Sequence, residues 1–395
     1  MTGPMHAVAG DESARVFVAS ADHLAWGERS VALPGAIGPI AAGGGLVVAS
    51  IMLAGSQDAG GRRIEMRGEP GAVLVAYDVS TGAAKWRLPL DASEYSIVTS
   101  IAAVPGGGFV VGGNFGGTLR AGEAGGGTSV VSSAGHSDGF VARVDATGAA
   151  TWLVRLGGAG ADAVQGVAVA GDRVAIAGTF TTGAELGGVP LPAFDDRVPF
   201  ADVFAAELDA ATGARKWSTT FGGKDDDSAA GIAITPSGRV AVAANLRGTM
   251  RVGPTQLRAN GPSDGLVVWI SRDGELGPAT VLGGPDFDGL RAIACVGEHA
   301  IAGGFFSGTI QLGAAKLVAG GGDDAFLASV APDGSIEHAW QVGGPGREEI
   351  ASIAALPGGF VAGVEHTADL VVDGEHLPAP KDPMTGAALV VRAVP

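Results

Sequence analysis

Hydrophobic residues occur along this chain in short runs that are separated by polar, glycine-rich turns. In the clearest unit, residues 139–179, the pattern predicts strands at 140–144, 151–156, 164–170 and 173–179, with turns at 145–148 and 171–172. Alternating or continuous apolar runs of this length, bounded by turn residues, are typical of β-strands. No long segment keeps a clean helical period, so we expect almost no helix.

This unit is repeated along the sequence. A second copy covers residues 203–244, and weaker copies begin near Ala72, Gly265 and Ala325. Four antiparallel strands in each repeat are typical of a β-propeller, whose radial arrangement leaves only short edges exposed. A solenoid is the alternative architecture, but its repeats are usually shorter and its strands parallel. We name the strands of one blade A to D from the centre outward. The A strands carry aliphatic anchors spaced 60 to 66 residues apart: Ile40, Ile101, Val167, Ile232, Ile293 and Ile353.

The copies predict an all-β fold, a single propeller domain over residues 1–395 with about seven four-stranded blades. Six blades are the alternative. The first blade is expected to be minimal, and the last to lack its outer strand, because the run at 389–394 aligns with a C strand and the sequence ends there. The expected blades cover approximately residues 5–34, 35–90, 91–156, 157–221, 222–282, 283–342 and 343–395.

Most repeats carry an insertion of about 20 residues between strands B and C, and several insertions have the pattern of a hairpin, such as 249–258 and 309–318. In a four-stranded antiparallel blade, the D-to-A and B-to-C connections emerge on the same side. The glycine loops and the insertions should therefore share one face, which we call the loop face. We expect ligand recognition there, since this is where the repeats differ most.

Acidic residues recur just before the A strands. Carboxylate oxygens are preferred ligands of Ca²⁺, so acids from neighbouring blades could bind calcium or a cationic ligand at the channel mouth. Alternatively, each acid accepts hydrogen bonds from the amides of its own loop, which its recurrence with the repeat favours. No metal ligand is therefore assigned, and the candidates are Asp162, Asp227, Asp288 and Glu348. Gly35 and Ser96 occupy the same position in earlier repeats.

Other recurring residues are interpreted as structural. Segments 135–139 and 261–265 fit the G-x-S-x-G pattern of serine hydrolases, but that motif requires a strand–turn–helix context and in this chain occurs twice at equivalent places. Trp86, Trp152 and Trp217 are predicted to pack between blades. A further set of acids is predicted to lie two residues before the C strands and to bond to the backbone where the insertion rejoins the blade: Asp138, Asp202, Asp264 and Asp324.

Charge and cysteine content exclude several classes of partner and site. The net charge of −16 disfavours nucleic acids and anionic membranes. Cys295 is the single cysteine, so there is neither an intramolecular disulfide nor a cysteine-based metal site. No signal peptide or membrane-spanning run is recognisable. We therefore expect a cytoplasmic protein, or the mature part of a secreted or cell-surface protein.

The repeat resembles the bacterial SBBP β-propeller repeat, whose pattern is roughly DAFVAKLD..G...W...LGG...D. Residues 138–145, Trp152, Leu156, Gly157, Gly158 and Asp162 carry this resemblance. Segments 77–86 and 208–217 are also similar to the outer hairpin of quinoprotein-type (PQQ-like) repeats. The resemblance implies a propeller and says little about function. Quinoprotein dehydrogenases of this shape often use an adjacent cysteine pair near the cofactor, which one cysteine cannot supply, so no quinone cofactor is expected.

Taken together, the sequence favours a non-catalytic binding or scaffold propeller that recognises a protein, peptide or glycan through its loop face. The alternative is a lyase or hydrolase with a carboxylate or calcium-assisted site at the channel mouth. No cofactor is expected, and calcium is the one ion that the recurring acids could hold.

Overall fold

The computed structural model describes residues 7–20, 23–33, 35–55, 57–59, 62–64, 66, 70–122, 129–192, 200–372, 375–377, 379 and 386–393. Every regular element in these ranges is a β-strand, which confirms the all-β prediction. Accordingly, this part of the chain contains no helix that is long and apolar enough to span a membrane.

In chain order, the first strands are β1 (Ala7–Gly10), β2 (Val16–Ser20), β3 (His23–Trp26), β4 (Arg29–Ala32), β5 (Ala36–Gly43), β6 (Leu46–Leu53), β7 (Gln57–Ala59), β8 (Arg62–Ile64), β9 (Gly71–Asp78) and β10 (Ala84–Ala92). Next are β11 (Tyr95–Ala103), β12 (Phe109–Gly116), β13 (Thr118–Ala121), β14 (Ser129–Ser132), β15 (Asp138–Val144), β16 (Ala150–Gly157), β17 (Ala163–Ala170), β18 (Arg173–Phe180), β19 (Glu185–Leu186), β20 (Val189–Pro190), β21 (Asp202–Asp209) and β22 (Arg215–Gly223). Then follow β23 (Ser228–Ile234), β24 (Val240–Leu246), β25 (Thr249–Val252), β26 (Thr255–Arg258), β27 (Asp264–Ile270), β28 (Leu276–Leu282), β29 (Gly289–Val296), β30 (His299–Phe306), β31 (Thr309–Leu312), β32 (Ala315–Val318), β33 (Asp324–Val330) and β34 (Ile336–Val342). The last are β35 (Glu348–Leu356), β36 (Gly359–His366), β37 (Leu370–Val372), β38 (Glu375–Leu377) and β39 (Gly386–Ala393).

Antiparallel pairing assembles most strands into six sheets of four to six strands. Their orders, from the innermost strand outward, are β1-β2-β3-β4, β5-β6-β9-β10-β13-β14, β11-β12-β15-β16-β19-β20, β17-β18-β21-β22-β25-β26, β23-β24-β27-β28 and β29-β30-β33-β34. A smaller sheet, β35-β36-β39, follows, and the hairpins β7-β8, β31-β32 and β37-β38 form two-stranded sheets. Each innermost strand packs against the next, and β35 packs against both β29 and β1, which closes the ring.

The prediction of seven four-stranded blades is wrong. The ring has six blades of four to six strands, the alternative count, and a three-stranded sheet closes it. Strand numbers differ because a hairpin inserted in one repeat pairs with the outermost strand of the preceding blade. Leu90 of β10 pairs with Ala121 of β13, and Gly222 of β22 pairs with Arg251 of β25. The local pattern of strands and turns does not encode this pairing between different repeats.

The inserted hairpins also contribute to the hydrophobic core. Met250 and Val252 of β25 are buried, as are Ile310 and Leu312 of β31, whereas Arg251 between the first two is exposed. Burying an aliphatic side chain stabilises a protein by roughly 1.5–3 kcal/mol. The hairpins are therefore structural parts of the blades, and removing one would expose core residues as well as alter the loop face.

The tryptophans pack between blades, as predicted. Trp152 Nε1 donates a hydrogen bond to the carbonyl oxygen of Ala210, 3.0 Å away in the C-to-D turn of the next blade. The turn residue Gly213 lies against the indole: a Cβ there would stand 2.9 Å from Trp152 Cδ2, and the φ of Gly213 is +72°. Glycine alone tolerates both conditions readily. The same contact occurs in three pairs: Trp86 with Gly148, Trp152 with Gly213, and Trp217 with Gly274.

Candidate functional site

Asp162 links two connections of the loop face. Its Oδ2 accepts a hydrogen bond from the amide of Gly158 at 2.8 Å, and its Oδ1 accepts one from the amide of Thr181 at 2.7 Å. Gly158 belongs to the D-to-A loop, and Thr181 directly follows strand β18. The carboxylate thus joins the D-to-A loop to the B-to-C connection, which confirms that the two lie on one face.

Asp288 makes the same link in another blade. It accepts hydrogen bonds from the amides of Gly284 at 2.6 Å and Ser307 at 3.0 Å. Ser96, in the equivalent place, uses its hydroxyl to accept from the amide of Ala72 at 2.9 Å. The carboxylates of Asp162 and Asp288 therefore serve their own loops, whereas the hydroxyl of Ser96 bonds to strand β9 of the preceding blade.

Asp227 and Glu348 each satisfy only one carboxylate oxygen. Asp227 Oδ1 accepts from the amide of Arg247 at 3.1 Å, and Glu348 Oε2 accepts from the amide of Gly344 at 2.8 Å. The other oxygens, Asp227 Oδ2 and Glu348 Oε1, are buried and have no hydrogen-bond partner among the described residues. A buried, unpartnered carboxylate oxygen strongly disfavours the ionised form.

A second buried acid accompanies each of these acids. These partners are the first residues of the C strands rather than lying two residues before them, and they are Asp138, Asp202, Asp264 and Asp324. Burial, with the charge of Asp202 adding to it, raises the pKa of Asp227 to about 8. Burial raises the pKa of Glu348 to about 7, and Asp324 contributes in the same direction. Burial likewise raises the pKa values of Asp162, Asp264, Asp288 and Asp324.

The metal candidates are not brought together at the channel mouth. Asp162, Asp227, Asp288 and Glu348 precede or begin innermost strands of four different sheets. Among the residues that the structure describes, no three His, Cys, Asp or Glu side chains are grouped as metal ligands would be. Calcium binding remains a prediction at these positions.

The innermost strands enclose a channel with a cavity of about 260 Å³ on the loop-face side. Its lining comes mainly from the first halves of these strands, including Thr99, Gln165 and Arg291. The predicted aliphatic anchors form its floor. Five of them, Ile40, Ile101, Ile232, Ile293 and Ile353, also line a second cavity at the other end of the channel. Charged side chains line only the first of these two cavities among the described residues.

Arg291 is the one charged residue among the described residues that line this mouth. Its Nε and Nη2 both donate to Glu349 Oε2 at 3.2 Å, and the two side chains are 51% and 33% exposed. Sequence reasoning overlooked Arg291, although a signal exists. The position two residues before each A-strand anchor is otherwise uncharged in the described repeats: Gly38, Thr99, Gln165, Ala230 and Ala351.

Two phenylalanines connect Arg291 with the rim of the channel. Phe287 is 46% exposed, and its ring centroid lies 5.7 Å from that of Phe305. Arg291 Cζ lies 5.1 Å from the Phe305 centroid. Asn245 fixes the strand just before the arginine, because it donates to the Leu290 carbonyl at 3.2 Å and accepts from the Leu290 amide at 2.8 Å. The stack and this clamp hold the guanidinium at the mouth.

The two G-x-S-x-G segments are repeat features, as predicted. The carbonyl oxygen of Ser137 accepts from the amide of Asp162 at 2.8 Å, and that of Ser263 accepts from the amide of Asp288 at 2.9 Å. Both segments lead into strands, β15 and β27, and not into a helix. These serines bridge the end of the insertion to the D-to-A loop.

Comparison with known proteins finds only remote structural similarity. No family model matches the sequence, and no curated protein matches it. Similar solved structures include BamB from Moraxella catarrhalis, with 13% identity, 90% of this chain and 92% of that chain covered, and a TM-score of 0.38. Another is a quinohemoprotein alcohol dehydrogenase from Pseudomonas putida HK5, with 12% identity, 95% and 70% covered, and a TM-score of 0.42. A third is the β-propeller domain of the Trilobed protease from Pyrococcus furiosus, with 10% identity, 87% and 94% covered, and a TM-score of 0.33.

At these identities and TM-scores the likeness is one of fold alone. Membership of the SBBP or quinoprotein-type family stays a prediction.

Proposed function

We propose that this protein is a non-catalytic binding module that recognises a protein, peptide or glycan at the loop-face mouth of its channel. The observation that carries the proposal is the stack of Phe287, Phe305 and Arg291 beside the 260 Å³ cavity. An exposed aromatic ring next to a guanidinium is the kind of anchor that dominates binding energy in protein interfaces. The rigid ring of blades holds this anchor in place before a ligand arrives, which lowers the entropic cost of binding.

Replacing Phe287 with alanine should weaken ligand binding about tenfold or more, since an aromatic hot spot contributes about 2 kcal/mol or more and a tenfold change corresponds to about 1.4 kcal/mol. The labelled chain would be screened on peptide and glycan arrays, and the affinity of each hit measured with both proteins. Val318→Ala is the matched control, because Val318 is also exposed (55%) but lies on hairpin β31-β32. If the hits bind the Phe287→Ala variant as tightly as the unaltered chain, the mouth is not the binding site.

The alternative function is a lyase or hydrolase that uses Asp162, Asp227, Asp288 or Glu348 as a base or calcium ligand. The hydrogen bonds of these acids to their own loops favour a structural role instead. We therefore expect calorimetric titration with Ca²⁺ to give no binding heat and no thermal shift. Saturable heat that disappears in the Asp227→Asn variant would favour the enzyme alternative.

A further inference from the structure

The lining of the cavity at the loop-face mouth combines three kinds of chemistry. They are a guanidinium in a replaceable ion pair, an unsatisfied hydrogen-bond acceptor, and an aliphatic floor. Resting on the proposed binding function, we infer that the mouth recognises the C-terminal residue of a peptide. Its carboxylate would pair with Arg291, its amide would donate to Gln165, and its aliphatic side chain would contact the floor.

The ion pair between Arg291 and Glu349 is suited to exchange. Both donors of Arg291 reach one oxygen of Glu349 at 3.2 Å, which is longer than a typical charge-assisted hydrogen bond. Exposed ion pairs contribute only about 0–1 kcal/mol, so replacing Glu349 by another carboxylate costs little. The planar guanidinium of arginine can bind a carboxylate through two parallel hydrogen bonds, one to each oxygen. The pair with Glu349 lacks this geometry, because both hydrogen bonds go to Oε2.

Gln165 supplies the acceptor. Its Nε2 donates to Thr179 Oγ1 at 2.9 Å. Its Oε1 is buried and accepts no hydrogen bond from the described residues. A buried acceptor without a partner costs about 1–3 kcal/mol, so a ligand N–H would recover that cost once the Gln165 carboxamide turns its Oε1 towards the cavity. The last amide of a peptide lies next to the terminal carboxylate and is such a donor.

The aliphatic floor sets the size and polarity of the remaining group. Ile101, Val167, Ile232 and Ile293 belong to the cavity lining, and each is at most 9% exposed. A volume of about 260 Å³ accommodates one or two small residues and no folded domain. Charge complementarity also selects the ligand, because Arg291 is the one charged residue among the described residues of the lining and attracts a carboxylate.

The inference is tested by fluorescence polarisation with two pools of fluorescein-labelled octapeptides that end in alanine, valine or leucine. One pool has a free C-terminus, and the other is amidated. We expect the free pool to bind, and amidation or the Arg291→Gln substitution to weaken binding about tenfold or more, as loss of a charge-assisted hydrogen bond does. Glu349→Gln should tighten binding, since it removes the competing carboxylate. Arg291 and Glu349 are both partly exposed, so neither variant should unfold the protein.

The outcomes separate this inference from the proposed function. Equal binding of both pools, or no binding of either, overturns carboxylate recognition, whereas a Phe287-dependent array ligand would still support the binding module. Absence of any Phe287-dependent array ligand, together with no binding of either peptide pool, overturns both. If N-acetylvaline displaces the peptides at a concentration equal to their own Kd, the carboxylate assignment is supported and the peptide assignment is overturned.

Discussion

The free energy of unfolding should decrease as the pH rises from 5 to 8, because buried carboxyl groups must then lose protons. The pKa of Asp227 is about 8 in the folded protein, against about 3.9 for an unfolded aspartate. A carboxyl group whose pKa is raised in the folded state contributes its full stabilisation when the pH is below its pKa in the unfolded state. This stabilisation is lost as the pH rises through its pKa in the folded state. Between the two values the folded chain binds one more proton, so Asp227 alone lowers stability by roughly 1 kcal/mol per pH unit.

Other groups set the limits of this pH window. Glu348, with a pKa of about 7, acts in the same direction as Asp227. Hydrogen bonds from Thr212 and Ser335 lower the pKa values of Asp209 and Asp333, so these two groups stabilise the fold above the unfolded value. Their contribution is lost only below about pH 4. Stability should therefore be highest near pH 5, as urea denaturation at pH 4 to 9 would measure.

The Asp227→Asn variant isolates the contribution of Asp227 to the pH dependence of stability. Asparagine keeps the acceptor for the Arg247 amide and carries no charge, so it resembles the protonated aspartate. We expect stability close to that of the unaltered chain at pH 5, higher stability at pH 8, and a smaller slope between them. Asp273→Asn, at an exposed carboxylate, should leave the slope unchanged. A stability that is flat or rises from pH 5 to 8 would show that these carboxyls are ionised in the folded protein.

Replacing Trp152 with alanine should destabilise the protein by about 3–5 kcal/mol, the usual cost of removing a buried tryptophan. The indole is 8% exposed, packs on Gly213, and donates to the Ala210 carbonyl across the blade junction. Removing it leaves a cavity between two blades and an unpaired carbonyl. Chemical denaturation followed by circular dichroism measures the loss.

Phe287→Ala provides the comparison for this prediction. Phe287 is 46% exposed, so its removal should change stability by less than about 1 kcal/mol while it impairs ligand binding. If the Trp152 and Phe287 variants lose similar stability, the tryptophan is not the interblade anchor that its contacts indicate.

The strand class could be predicted because it depends on residues close together in one repeat. The aliphatic anchors and the packing tryptophans could be predicted because they recur at the same place in successive repeats. Alternation and turn residues determine strands locally. The number of strands in each sheet could not be predicted, since hairpin β13-β14 pairs with strand β10 of the preceding repeat. An edge strand has unpaired backbone groups that any neighbouring strand can pair with, and the sequence of the hairpin does not specify which strand that will be.

The candidate site shows the same division. The sequence drew attention to Asp162, Asp227, Asp288 and Glu348 because they recur, and it offered calcium binding and loop hydrogen bonding as alternatives. The structure directs each carboxylate to loop amides and leaves Arg291 at the mouth, with Phe305 and Phe287 stacked beside it. Arg291 was overlooked because it departs from the repeat, whereas a comparison of the repeats finds the residues that they share.

By itself, the sequence determined an all-β propeller with its loops on one face, because strand periodicity and antiparallel connection are local rules. Only the tertiary structure decided which strands join which blade, which acids are buried with raised pKa values, and which side chains meet at the channel. Those outcomes depend on burial and on distances between residues far apart in the chain. The linear sequence does not contain these quantities, because they exist only once the ring has closed.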